Sequence, residues 1–208
     1  MHALADLTPA PAPARSGRGK AGPDTIDGRT ERAARTRERI VAAILDLVRA
    51  GNLNPTAEEV AQYAAVGHRT VFRHFQDMET LYDEMNARVR VHVEAGLSAS
   101  PVARGLRERI EALAAERAAT FELITMYYLS GDLRMHSSPT IKRHRAQFAR
   151  LLRAQLLAHL PEAEPVVDAA DLLASVDGWL RLRRTQTLTV EGARQVVVET
   201  LTALIPHT

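Results

Sequence analysis

The stretch VAQYAAVGHRTVFRHF, residues Val60–Phe75, contains two arginines and two histidines but no acidic residue. Val71 and Phe75 are four positions apart, so a helix would place their side chains on one face. The residues around Gly67 interrupt the helical pattern and predict a tight turn before that helix. The stretch therefore predicts two short helices, of which the second has one apolar face and one basic face.

Helical signals continue on both sides of this stretch. Upstream, apolar residues recur at helical spacing as far as Gly51, a residue that commonly ends a helix. Thr56 stands three residues before Glu59, the spacing of a capping box, and Asp77 can cap a further helix downstream. The first three predicted helices are about Arg32–Ala50, Ala57–Ala64 and Arg69–Phe75.

The remainder of the chain also has helical rather than strand periodicity. Ser138 precedes Pro139 and Thr189 precedes another apolar repeat, both of which are signals for the start of a helix. An all-α protein of about nine helices is therefore predicted. The later predicted helices are about Val102–Arg117, Thr120–Leu129, Pro139–Leu160, Val166–Arg184 and Val190–Ile205.

Composition excludes several classes of function. Apolar residues make up 46% of the 208-residue chain, enough for a packed core, and the absence of cysteine excludes disulfides, thiolate metal sites and cysteine nucleophiles. The sequence has no zinc-protease, hydrolase or dinucleotide-binding motif, so we expect no enzyme, no cofactor and no metal. It also lacks a signal-peptide pattern and a membrane-length apolar run, which predicts a cytoplasmic protein.

Two short helices joined by a tight turn, the second of them basic, are typical of a helix-turn-helix whose second helix enters the major groove of DNA. The alternative is that the basic face is only a solvated surface. A net charge of +2, from 27 basic and 25 acidic residues, does not decide between the two, because DNA binding depends on how positive charge is distributed.

The spacing of residue types from the first helix to Leu81 resembles that of the tetracycline-repressor (TetR-like) family of bacterial transcriptional regulators. The family pattern has an apolar residue and Ala before a short turn, followed by T-(L/V)-(Y/F)-x-(H/Y)-F. The residues that fill these places are Val60, Ala61, Ala64, Ala65, Val66, Gly67, Thr70, Val71, Phe72, His74 and Phe75. The resemblance implies an N-terminal three-helix head with a helix-turn-helix and a C-terminal helical bundle that binds a ligand and dimerises.

The resemblance also implies roles for individual residues. Its backbone-contacting positions are Thr56, Thr70, Phe72 and His74, whereas those that reach base edges or neighbouring phosphates are His68, Arg69 and Arg73.

Four positions depart from the family pattern. Ala65 replaces the turn glycine, and Gly67 replaces the usual Ser or Thr cap. Phe72 stands where the family more commonly has tyrosine and cannot donate a hydroxyl hydrogen bond, and Met78 stands where a phosphate-binding lysine is common. Basic residues of the arm and of the first helix are expected to compensate, namely Arg29, Arg32, Arg35, Arg37 and Arg39.

Three regions are predicted along the chain. Residues 1–30 are rich in Ala, Pro and Gly and predict a disordered N-terminal arm. Residues 31–76 form the predicted helix-turn-helix domain, and residues 77–208 the predicted ligand-binding and dimerisation domain.

Predictions for the C-terminal helices are less specific. The last two carry apolar stripes that either form a two-fold dimer interface or complete the core of the monomer; their residues include Leu172, Leu173, Val176, Val197, Leu201 and Leu204. Large apolar side chains with polar tips could line a pocket for a small ligand, or could simply fill the core. The ligand candidates are Phe121, Met126, Tyr127, Tyr128, Phe148 and Trp179.

Together with these patterns, the resemblance implies a homodimeric repressor that binds a pseudo-palindromic operator in double-stranded DNA and is released by a small apolar or aromatic inducer. Two alternatives remain open. One is a helical interaction protein, and the other is a regulator that answers a protein partner without a small-molecule ligand.

Overall fold

The computed structural model describes residues 25–97 and 105–206, and within these ranges the chain is all-α, as predicted. Nine α-helices form in the described residues, joined by a 3-10 segment at Pro161–Val166 and a π-helical turn at Arg181–Thr185. The helices are α1 Thr25–Arg49, α2 Ala57–Tyr63, α3 His68–His74, α4 Met78–Leu97, α5 Leu106–Asp132, α6 Pro139–His159, α7 Val167–Leu173, α8 Val176–Leu180 and α9 Val190–Leu204.

Helix α1 begins at Thr25, so the end of the predicted disordered arm is helical. Residues 1–24 of that arm lie outside the described ranges, as does the predicted helix start at Val102.

Main-chain contacts divide the protein into two compact units, Met1–Val89 and Arg90–Thr208. The division falls within α4, whereas the boundary predicted from the motif lies before that helix, after residue 76. In the first unit, α2 packs against both α1 and α3. The core of the first unit consists of fully buried apolar side chains, among them Ile40, Ile44, Val60, Val71, Phe75, Leu81 and Met85.

Helices α1 and α2 end in the same way, in a Schellman motif. At the end of α1, Gly51 has a φ of 102°, and the amide of Asn52 donates to the Leu47 carbonyl at 3.1 Å. At the end of α2, the amide of Val66 donates to the Ala61 carbonyl at 3.0 Å. Here the residue with positive φ is Ala65, at 51°, so an alanine occupies a conformation that favours glycine. The turn of the predicted helix-turn-helix forms without its usual glycine.

Several predicted helix starts are confirmed by capping hydrogen bonds. The Thr56–Glu59 capping box is present at the start of α2, and Asp77 accepts a 2.7 Å hydrogen bond from the Thr80 amide. Ser138 and Thr189 cap α6 and α9 in the same manner. These signals lie within four residues of each other, which is why the sequence alone identifies them.

In the second unit, α5 packs against α6 and α9, and two of the predicted helices differ from those observed. The predicted break between Arg117 and Thr120 is wrong, because α5 continues through these residues to Asp132. The predicted single helix Val166–Arg184 is also wrong, since it is interrupted between α7 and α8 and ends in the π-helical turn. Ser175 restarts the helix by accepting a 3.0 Å hydrogen bond from the Gly178 amide.

Gly178 permits the close approach of α8 to the end of α7. A Cβ atom at this position would lie 2.7 Å from the Leu173 carbonyl oxygen and 3.0 Å from that of Leu172. No side chain fits such distances without movement of the main chain, so the break between α7 and α8 depends on this glycine.

Candidate nucleic-acid interface

Helix α3 presents its two arginines on the side opposite to its packed face. Val71 and Phe75 are 1% exposed and anchor the helix in the core of the first unit. Arg73 is two residues from each of them and so points about 160° away around the helix. Arg69 lies one turn earlier on the same exposed face. The predicted separation of an apolar and a basic face is present in the structure.

The two α3 arginines differ from other arginines of the first unit in their partners. Neither Arg69 nor Arg73 forms an ion pair or side-chain hydrogen bond with any described residue. By contrast, Arg37 pairs with Glu84 at 2.9 Å. The two terminal nitrogens of Arg88, Nη1 and Nη2, donate to the Glu38 carboxylate at 2.8 and 2.6 Å. The positive charge of α3 is therefore available to an external anion, whereas Arg37 of α1 and Arg88 of α4 are paired with carboxylates within the unit.

Arg37 links the packed end of α3 to α4. Its guanidinium carbon lies 4.5 Å from the centre of the Phe75 ring, while its Nη2 donates to Glu84. A cation above an aromatic face is attracted by the electron density of the ring. Arg37, one of the arginines expected to compensate for the weaker phosphate contacts, thus has two partners inside the unit.

The polar residues implied to contact the DNA backbone have different surroundings. The Thr56 hydroxyl is exposed but already donates to Glu59 at 2.8 Å. Thr70 and His74 are half-buried on the flank of α3. Partial burial, followed by the nearby charges of Arg73 and Arg37, lowers the pKa of His74, so this imidazole is mostly neutral at pH 7.

The remaining two predicted positions of α3 contact each other. His68 and Phe72 are both exposed, and their ring centres are 5.1 Å apart in an edge-to-face arrangement. They border the face that carries Arg69 and Arg73.

The residues predicted to line a ligand pocket are not all brought together. Phe121 and Trp179 are buried with ring centres 6.3 Å apart, and both line a cavity of about 10 Å³. The other lining residues are Ala114, Arg117, Leu173, Ala174, Ser175 and Val197. A cavity of this size holds about one water molecule.

The other four predicted ligand residues do not line this cavity. Tyr127 is buried in the core, whereas Met126, Tyr128 and Phe148 are half-buried. Tyr128 lies under the Arg145 guanidinium and donates its hydroxyl to Asp177 at 3.1 Å.

Sequence reasoning missed a buried polar cluster beside the cavity. Arg117 is only 2% exposed and donates to the main-chain carbonyls of Leu152 and Ala174 and to the Gln155 side chain. Burial lowers the pKa of Arg117 to about 10, so the guanidinium stays charged at neutral pH. A signal for this cluster existed, because Arg117 interrupts the apolar stripe of α5 between Ala114 and Phe121.

Gln155 connects Arg117 to a buried histidine. The Gln155 amide donates to Glu116 at 2.9 Å, and its main-chain carbonyl lies 3.0 Å from His159 Nδ1. Because a carbonyl only accepts hydrogen bonds, Nδ1 carries the proton. The cluster joins α5 and α6 and, through Arg117, the break between α7 and α8.

Two further properties bear on the kind of site that this chain can form. Among the described helices, none has the combination of length and apolar character that a membrane crossing requires. Within residues 25–97 and 105–206, His, Asp and Glu side chains do not gather in groups of three or more that could hold a metal ion.

No protein-family model and no curated protein matches this sequence. Solved structures do match. A transcriptional regulator from Rhodococcus sp. Rha1 superposes with a TM-score of 0.65 at 20% identity, over 81% of this chain and 95% of that one. A TetR-family transcriptional regulator from Streptomyces coelicolor also has a TM-score of 0.65, at 19% identity, over 82% of this chain and 80% of that one. A third regulator, from Streptomyces coelicolor A3(2), has a TM-score of 0.61 at 24% identity, over 83% and 99% of the two chains.

The resemblance noted in the sequence is therefore confirmed as a likeness of fold. The chain shares the helical fold of these solved structures over more than 80% of its length, well beyond the helix-turn-helix motif.

Proposed function

We propose that this protein is a sequence-specific DNA-binding transcriptional regulator. The observation that carries the proposal is helix α3, whose exposed arginines have no partner among the described residues while its opposite face is anchored in the core. Arg69 and Arg73 can each pair bidentately with a guanine in the major groove. The structural neighbours, which are named as transcriptional regulators, support the same function.

The proposed regulator acts as a homodimer, because one short helix contacts few base pairs and a two-fold site doubles the contact. Three residues of the predicted interface stripes, Val176, Val197 and Leu201, are buried inside the unit and belong to its core. Exposed apolar side chains remain at Leu172 on α7 and at Val190 and Val196 on α9. These are the side chains that we assign to the dimer contact.

We further propose that the protein is a repressor controlled by a small apolar or aromatic inducer. The supporting observation is the pair of aromatic rings, Phe121 and Trp179, at the cavity beside the break between α7 and α8. A cavity of about 10 Å³ requires that this break move before an inducer enters. The same small volume favours the alternative, a regulator that answers a protein partner without a small ligand.

The test of DNA binding is selection of bound sequences from a random duplex pool, followed by titration of the selected site and of random DNA at two salt concentrations. We expect a two-fold symmetric site, bound at least a thousandfold more tightly than random DNA. Equal affinity for both DNAs would overturn the proposed function and favour a helical interaction protein.

The inducer proposal has its own test. Fluorescence of Trp179, the only tryptophan of the chain, reports on compounds that enter the cavity. Because the two binding events are thermodynamically linked, their effects on each other are equal. An inducer that weakens operator binding by a given factor therefore binds more weakly by the same factor when the operator is present. Equal inducer affinity with and without operator would contradict induced release.

A further inference from the structure

Phe72 is an apolar side chain on the surface of a basic helix. Phe72 is 42% exposed. Among the described residues of the first unit, the one other exposed large hydrophobic residue is Tyr63, at 56%. Phe72 directly precedes Arg73 and follows Arg69 by three positions, so it borders the face that carries both arginines. A helix that places this face against DNA also brings the phenyl ring to the duplex.

Contact with His68 restricts the position of the ring. The two ring centres are 5.1 Å apart and the ring planes make an angle of 67°, with the two residues one helical turn apart. An edge-to-face contact of this kind favours one orientation of the phenyl group. Phe72 therefore presents a partly fixed apolar surface beside the arginines.

A phenyl ring can neither donate a hydrogen bond to phosphate nor accept one from a base. Within the major groove, the apolar group on a base edge is the C5-methyl of thymine, which aromatic and aliphatic side chains contact. We propose that Phe72, held by His68, reads a thymine methyl group in each half of the operator. This inference rests on the proposed function, and it replaces the backbone-contacting role that the family resemblance implies for this position.

The test uses the selected operator, with each thymine replaced in turn by deoxyuridine. This replacement removes only the methyl group and leaves the hydrogen-bonding pattern of the base pair unchanged. Burial of one methyl contributes about 0.8 kcal/mol, which corresponds to about a fourfold change in affinity. We therefore expect one thymine in each half-site, at symmetric positions, whose replacement lowers the affinity about fourfold. In Phe72→Ala the same replacement should cost nothing, and Phe72→Leu should keep part of the effect.

Tyr63→Ala is the matched control, because it removes the other exposed aromatic residue of this unit from α2 instead of α3. It should keep the full fourfold effect. Circular dichroism and thermal unfolding establish that each variant is folded before its DNA affinity is compared.

The outcomes separate this inference from the proposed function. If the operator is bound tightly but no thymine methyl matters, or if the loss is the same in Phe72→Ala, then the role of Phe72 is overturned and the proposed function stands. An operator without thymine in the contacted half-sites would have the same consequence. If no operator is selected, the proposed function and this inference both fail.

Discussion

Arg69 and Arg73 in the first unit and Arg117 in the second are the same residue type under opposite conditions. The α3 pair is exposed and has no partner among the described residues, whereas Arg117 is buried and donates to two main-chain carbonyls and one side chain. An exposed guanidinium keeps its hydration and can exchange water for phosphate or guanine. A buried guanidinium has already lost its hydration and is compensated by internal acceptors.

Whether an arginine is exposed or buried determines what its charge acts on. Removing an exposed, unpartnered cation should affect an external partner and leave the fold intact. Removing the buried cation should affect the fold, since it leaves acceptors unpaired where water cannot reach them.

Arg117→Ala should lower the free energy of unfolding by about 3 kcal/mol or more, because the Leu152 and Ala174 carbonyls and the Gln155 side chain lose a buried donor, at about 1–3 kcal/mol for each unpaired group. Urea unfolding monitored by Trp179 fluorescence measures this loss. Arg150→Ala on α6, which removes an exposed arginine, is the control and should change stability by less than about 0.5 kcal/mol. Equal stability of the two variants would show that Arg117 has no structural role.

Arg69→Ala and Arg73→Ala should each weaken operator binding by about 1–3 kcal/mol and relax the base preference at one position, with little change in unfolding. Arg39→Ala, an exposed arginine of α1, should weaken operator and random DNA alike and reduce the salt dependence. Titrations of both DNAs at two salt concentrations distinguish these effects. Equal losses on both DNAs for the α3 variants would contradict base reading.

Ala65→Gly should raise the free energy of unfolding by about 0.5–1 kcal/mol, because glycine adopts the φ of 51° at this turn without strain. Ala64→Gly is the comparison variant: Ala64 has a φ of −73°, so glycine relieves no strain there, and because Ala64 is buried the replacement also loses packing and should destabilise the protein. Urea unfolding of both variants gives the comparison. Destabilisation of Ala65→Gly would show that the turn carries no strain.

The smallest effect is expected at Glu122, which accepts hydrogen bonds from Arg183 at 2.7 Å and from Trp179 at 2.9 Å. The Arg183 hydrogen bond is the main cause that lowers the pKa of this carboxyl below 4.5 in the folded protein. Its stabilisation is therefore fully present above about pH 4.5 and is lost as the pH falls through the folded pKa.

The unmodified protein should lose stability when the pH falls from neutral to acidic, and Glu122→Gln should lose less. The difference between the two losses should be under about 1 kcal/mol, since water screens the half-exposed Glu122–Arg183 pair. Unfolding free energies measured at a series of pH values test this. An unchanged pH dependence would mean that Arg183 does not stabilise the ionised form.

The first unit was largely predictable because its signals are local. The Thr56–Glu59 capping box, the Asp77 cap and the end of α1 at Gly51 all depend on hydrogen bonds between residues close in sequence. The spacing of Val71 and Phe75 likewise determined which face of α3 is buried. The arginine-bearing face of the candidate site followed directly from that spacing.

The second unit was less predictable because its decisive contacts are distant in sequence. The predicted break after Arg117 was wrong, and the break before Ser175 was missed, although Ser175 and Gly178 form a short capping signal. Helix propensity does not reveal that a Cβ at position 178 would collide with α7.

Short-range periodicity and capping specify the all-α class, the helix-turn-helix and the basic face of α3, so all three can be predicted from the amino-acid sequence. The burial of Arg117 and the pairing of Arg37 with Glu84 arise instead from tertiary contacts. Arg117 meets carbonyls 35 and 57 residues away along the chain, and Arg37 meets a carboxylate 47 residues away. Whether a charged side chain is solvated or internally compensated depends on which distant groups the fold brings to it, and no local pattern contains that information.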